Sequence, residues 1–179
     1  MRKTKYVGSG GLAFEEEKDM RKLEKLAAEG WMVERFFLLG YILKKEEPQH
    51  RIFEIDYRKD PDEEYFSYFR GAGWEHVTSQ SNYIHLFTAT PGTTPLYTDT
   101  STKVDKYKAE QQMTGKVALP LLLIEVILFV LGLGEFSFLS SLLSSIIMTI
   151  AIILLVPLVF LGLPWIAYTY RLIKLTTSK

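Results

Sequence analysis

The side chains able to do chemistry are few, and their spacing brings them into no familiar centre. There are three histidines (His50, His76 and His85) and no cysteine, which excludes disulfides, thiol nucleophiles and thiolate metal sites. No two histidines have the i,i+4 spacing that sets two imidazoles on one helix face, so a zinc centre is not expected, although His76 and His85 could meet across a hairpin. Gly8-Ser-Gly-Gly11 precedes a helical stretch, as a phosphate-binding loop would. It lacks the following Gly-Lys-Ser/Thr, and Glu15, Glu16 and Glu17 would repel an anion there. Those acids suit the positive end of a helix dipole instead. Asp60, Asp62, Glu63 and Glu64 could suggest a metal, but capping and solvation account for them more simply. Nucleophile-elbow, kinase and dinucleotide fingerprints are missing. The expectation is a chain with no catalytic residues, metal or cofactor, hence no enzyme.

Two groups of residues invite a binding role. Trp31, Trp74, Tyr41 and Tyr83 could line a ligand cleft, with burial in a core as the alternative for the tryptophans. Glu125 stands about halfway along an apolar run. An ionised carboxylate in hydrocarbon is expensive, so Glu125 is expected to be protonated, paired or turned toward polar surroundings. Its expected partner is the backbone near Pro157, because proline leaves the carbonyl of Ile153 without a helical donor.

The elements that must position these residues divide the chain sharply. Residues 117–170 contain, tyrosine apart, only Glu125 and Glu135 as ionisable groups, while residues 1–116 hold nearly all the charge. A membrane core about 30 Å thick needs about 20 helical residues. One run from 117 into the mid-130s and a second ending near 170 meet that length. Trp165, Tyr168 and Tyr170, followed by Arg171 and Lys174, read as an interfacial belt. Lysines precede the first span and basic residues follow the second, whereas the connection has none. That charge asymmetry predicts a two-pass protein of the cell membrane with both termini cytoplasmic. The basic start is not followed by an apolar stretch long enough for a signal peptide, which fits a domain that stays where it is made. Ser137, Ser141, Ser145 and Thr149 recur every fourth residue as a small-residue stripe, expected to pack helices within the hairpin.

Residues 1–88 read as an α+β cytosolic domain with an internal repeat. Each half runs strand, helix, Gly-Trp, strand, strand. Ala28-Glu-Gly-Trp31 corresponds to Gly71-Ala-Gly-Trp74, and Tyr41-Ile42 to Tyr83-Ile84. The halves predict a mostly antiparallel sheet with two helices on one face. The second helix has Asp60 as expected N-cap, Pro61 as first residue and Glu63 as capping-box partner. Residues 89–116 read as a linker and juxtamembrane segment, 117–170 as a two-helix transmembrane hairpin, and 171–179 as a cytosolic tail. With 21 basic and 21 acidic residues, the chain has no excess of positive charge for nucleic acid.

The duplicated unit resembles the GyrI-like effector-binding fold, which holds small molecules between its halves. More closely, the helix before Glu29-Gly30-Trp31, the run from Tyr65 to Gly73-Trp74-Glu75 and the two apolar spans resemble the bacterial family catalogued as domain of unknown function 2812. The resemblance covers about residues 3–88. It implies a setting near PadR-like regulators and brings no catalytic residues with it. Together these readings predict a membrane-anchored sensing or interaction module. Its partners would be the lipid bilayer, a small ligand, and another membrane protein or a second copy of the chain. A transporter or channel accessory built on Glu125 is the second reading.

Overall fold

The structure, a computed structural model, describes residues 3–134 and 140–177. It forms two compact units that divide between Asp99 and Thr100. In the first unit the described elements are β1 (Thr4–Gly8), α1 (Leu12–Ala28), β2 (Trp31–Phe37), β3 (Gly40–Lys45), β4 (Ile52–Tyr57), α2 (Glu63–Gly71), β5 (Glu75–Gln80) and β6 (Ile84–Ala89). In the second they are α3 (Thr100–Leu133) and α4 (Ser141–Thr177).

The strand-helix-strand-strand duplication is present, but its strands form two antiparallel sheets rather than one. The first has the order β1-β3-β2 and the second β4-β6-β5. The two hairpins carry the same irregularity. A bulge interrupts the β2–β3 ladder between Val33 and Arg35, and another interrupts β5–β6 between His76 and Thr78. Aligning the bulges makes Trp31 equivalent to Trp74, and Phe36 to Ser79. Tyr41, paired with Phe36, is therefore equivalent to His85, paired with Ser79. The expected match of Tyr41 with Tyr83 is corrected by two residues. The cause lies in the turns: Leu38 and Leu39 connect β2 to β3, whereas Ser81, Asn82 and Tyr83 connect β5 to β6.

Local chemistry explains the helix ends. After α1, Gly30 takes φ +80°, and a Cβ there would lie 2.5 Å from the Glu46 carbonyl oxygen, so a side chain has neither the conformation nor the room. The N-cap of α2 is Asp62, whose carboxylate accepts from the Tyr65 amide at 2.9 Å. The expected cap, Asp60, instead occupies a turn at φ +47° and accepts from the Asn82 side-chain amide at 3.1 Å. Asp62 wins because it stands immediately before the first helical residue, within reach of the unpaired amides.

One core joins α1 to both sheets through Met20, Leu23, Ala27, Val33, Leu43, Phe53, Ile55 and Leu86. A smaller one lies under α2, where Trp74, Phe87 and Ala89 meet Tyr65, Phe66 and Phe69. Leu86 belongs to the first and Phe87 to the second, as the alternation of a strand requires. β6 is thus covered on both faces, and Leu86 through Ala89 are all buried.

The segment after β6 is not a free linker. The Leu96 amide donates to Glu54 at 3.0 Å and the Tyr97 hydroxyl donates to Asp56, which ties this stretch back to β4. α3 then runs without a break from Thr100 through the expected juxtamembrane segment into the apolar run, with Pro120 inside it. Among the described residues, α3 and α4 are the helices long and apolar enough to cross a membrane.

Candidate functional site

The bulge in β5 decides what the second hairpin displays. The extra residue, Val77, shifts the strand's alternation, so that His76 and Ser79 come to the same side. Ser79 Oγ lies 2.8 Å from His76 Nε2 and 2.7 Å from His85 Nδ1. His85 Nε2 lies 2.9 Å from the Arg58 carbonyl oxygen. A carbonyl can only accept, so the His85 proton resides on Nε2. In the neutral ring Nδ1 then accepts the Ser79 hydroxyl proton, and Ser79 accepts in turn from His76 Nε2–H. The result is a directed chain from an exposed imidazole to one with no accessible surface.

α2 covers this chain with aromatic rings. The Phe66 centroid lies 4.7 Å from that of His76 and 5.7 Å from that of His85, and Tyr65 lies 5.5 Å from His85. The Tyr65 hydroxyl donates to Asp56 at 2.7 Å, sharing that carboxylate with Tyr97. Burial and then the Asp56 charge push both phenols well above the usual tyrosine range. Burial holds the His76 imidazole below its ordinary value, the neighbouring His85 lowers it further, and a backbone hydrogen bond with Thr78 works in the opposite direction. The sequence offered one clue to this site, the reading that His76 and His85 could meet across a hairpin. Ser79 was not legible, because its role depends on the bulge.

The four aromatic residues expected to line a cleft are distributed differently. Trp74 has no accessible surface, and its indole N–H donates to the Thr94 carbonyl at 3.0 Å in the core under α2. Tyr41 belongs to the core under α1. Burial and the Asp19 carboxylate raise its hydroxyl above the ordinary range, while Ser9 acts in the opposite direction. Among the described residues the geometry nonetheless gives that hydroxyl no satisfactory hydrogen-bond partner. Trp31 is half-buried with Lys5 and Lys45 over its ring at 5.5 and 5.1 Å, and Tyr83 packs on Tyr57 at 5.9 Å. A shallow depression lined by residues 45–49 includes none of the four.

In the second unit, Gln111, Ala118, Glu125 and Gly132 recur every seven residues, the spacing of a helix-packing seam. Gln111 donates to Thr169 at 3.2 Å, a Cβ on Gly115 would lie 2.6 Å from the Trp165 indole nitrogen, and Gly132 faces Met148. That antiparallel register brings Glu125 level with Leu155. Glu125 is only 3% exposed, and among the described residues neither carboxyl oxygen has a hydrogen-bond partner. The expected bond to the Ile153 carbonyl is not made, since Ile153 and Pro157 lie on the exposed side of α4. Ser141, Ser145 and Thr149 are also exposed, and Ser145 and Thr149 donate to their own i−4 carbonyls at 2.9 and 2.8 Å. They do not supply the packing expected within the hairpin. Ser137 lies outside the described residues. At one end of the seam, Tyr107 stacks on Tyr168 with centroids 6.1 Å apart and accepts from Arg171 at 3.0 Å, which anchors the expected aromatic belt to α3.

Fold and site together define a duplicated β-α-β-β domain joined to a pair of helices able to cross a membrane, with a polar relay in the second repeat. The chain belongs to the family described as Protein of unknown function (DUF2812), which matches residues 15–119 and so extends past the domain into α3. No curated protein and no solved structure matches it.

Proposed function

We propose that this chain is a non-enzymatic, membrane-anchored sensing or interaction module. α3 and α4 cross the cell membrane as a hairpin with both termini cytoplasmic, and the first unit binds a small ligand or a protein partner. The observation carrying this reading is the His76–Ser79–His85 chain, open at His76 and roofed by a helix none of whose residues is buried. Such a short, shallowly docked helix is an element that a ligand can clamp or release. The Ser79 hydroxyl donates to one imidazole and accepts from the other, which suits a relay better than a free nucleophile. The bilayer and a small ligand are the partners this reading requires. A PadR-like regulator, the link implied by the family resemblance, is the protein partner we favour testing.

The test is a thermal-shift screen of small molecules on the full chain in detergent, beside capture of partners from solubilised membranes. A stabilising compound should lose its effect in Ser79→Ala and keep it in Trp31→Phe. If no compound stabilises the protein and no partner is retained, the reading fails.

A second reading has its own observation, the buried and unpaired Glu125. Intramembrane carboxyl groups commonly mark transport or coupling sites. As an accessory of a transporter or channel, the chain should lose activity in Glu125→Gln with expression intact. A variant that behaves like the parent ends that reading.

A further inference from the structure

Outside α3 and α4, large apolar side chains are exposed together at one end of the first unit. The β2–β3 turn consists of Leu38 and Leu39, each 73% exposed, and the flanking Phe37 is 42% exposed. Phe37 meets the exposed Tyr6 edge-to-face at 6.4 Å. The Ser9 amide donates to the Leu39 carbonyl at 2.9 Å, which brings the β1–α1 connection and the exposed Phe14 alongside.

Folding alone does not account for this tip. Leu38 adopts φ +50°, a left-handed conformation that a bulky residue takes only at a cost, and one that suits Gly, Asn or Asp. The second repeat shows the ordinary solution, with Ser81 and Asn82 in its turn at φ +52° and +49°. The same hairpin is therefore tipped once with polar residues and once with leucines. Strain of this kind, held at an exposed position, points to function.

We infer that the Phe37-Leu38-Leu39 tip inserts into the cytoplasmic face of the bilayer that holds α3 and α4. The inference rests on the anchoring proposed above. Leucine and aromatic side chains at an exposed tip gain from burial at the headgroup–acyl boundary. Cations stand beside the tip: the Arg35 guanidinium lies 5.0 Å from the Phe37 ring centre, and Lys22 donates to the Gly8 carbonyl at 2.9 Å. Of the acids at this end, Glu15 is paired with Lys18, and Asp19 is held by the Ser9 hydroxyl and the Gly10 amide. These charges suit anionic lipid headgroups.

The absence of native cysteine gives a clean test. Leu38→Cys, Leu39→Cys and Ser81→Cys would each carry one nitroxide in the full chain, reconstituted into vesicles of phosphatidylcholine with phosphatidylglycerol. The expected result is that labels at 38 and 39 collide with oxygen and lose access to a water-soluble nickel complex, while the label at 81 keeps that access. Labels at all three positions that are equally open to nickel overturn the proposal. Protection from both oxygen and nickel at 38 and 39 also overturns it, since that marks a protein contact. Flotation separates the two claims. Protein that floats with the vesicles but has an open tip refutes the insertion alone, whereas protein left behind refutes the anchoring and the insertion with it.

Discussion

The two repeats share a topology, a bulge and a Gly-Trp corner, yet they spend their interiors differently. In the first, Phe36 and Tyr41 pack with ring centres 5.4 Å apart and planes tilted by 38° inside a core built on the 17-residue α1, which buries six residues. In the second, the equivalent positions are Ser79 and His85, under the nine-residue α2, which buries none. One copy is organised as a packed scaffold. The other exchanges an aromatic pair for a hydrogen-bonded chain and accepts a shallower helix. Duplication lets one half carry stability while the other carries a polar device.

The strongest way to break this contrast is to remove the corner the halves share. Trp74→Ala should cost about 3–5 kcal/mol by leaving a cavity under α2, read as a large fall in the denaturation midpoint. Trp31→Ala, at a half-buried position, should cost clearly less. An equal loss at the two positions would contradict the division into a closed and an open corner.

A sharper comparison uses the equivalent pair and predicts opposite signs. His85→Phe strips the Arg58 carbonyl and Ser79 of a partner and should destabilise by about 1–3 kcal/mol. Tyr41→Phe removes a buried hydroxyl without a satisfactory partner and should leave stability unchanged or raise it by up to about 1 kcal/mol. Calorimetry of the two variants would decide, and destabilisation of the same size in both would refute the distinction.

Smaller effects refine the account of α2. Asp62→Ala should cost about 1 kcal/mol through the lost cap, whereas Asp60→Ala should cost less, because its bond to Asn82 is exposed. The smallest effect is the pH dependence carried by His76. Its folded value is lowered, so the unfolded chain binds more protons. Stability should be flat at neutral pH and fall as pH drops through about 6.5, the unfolded histidine value. His76→Gln should abolish that share of the acid sensitivity, and an unchanged profile would show that it arises elsewhere.

Much of the architecture was legible in the sequence because it follows from patterns of a few residues. Apolar length and flanking charge gave the helices able to cross a membrane, and the Gly30-Trp31 and Gly73-Trp74 corners gave the repeat. The rest required information that a linear pattern does not hold. The division into two sheets depends on which edges pair. The partner of Tyr41 depends on the length of a turn, and the position of Ser79 on a single extra residue. The order of residues 94–97 depends on carboxylates more than thirty residues earlier in the chain. The face of Glu125 depends on the helix seam, and the exposed stripe at Ser141, Ser145 and Thr149 shows that small residues at regular spacing do not identify a contact by themselves.

In the proposed module the state of His76 reaches α2 through Phe66, whose ring lies 4.7 Å from the imidazole. Nuclear magnetic resonance of the full chain in lipid nanodiscs, titrated with acid, tests this directly. The account predicts that His76 titrates below the ordinary histidine midpoint and that backbone signals of Glu63–Gly71 move with the same midpoint. His76 titrating while those signals stay still would contradict it.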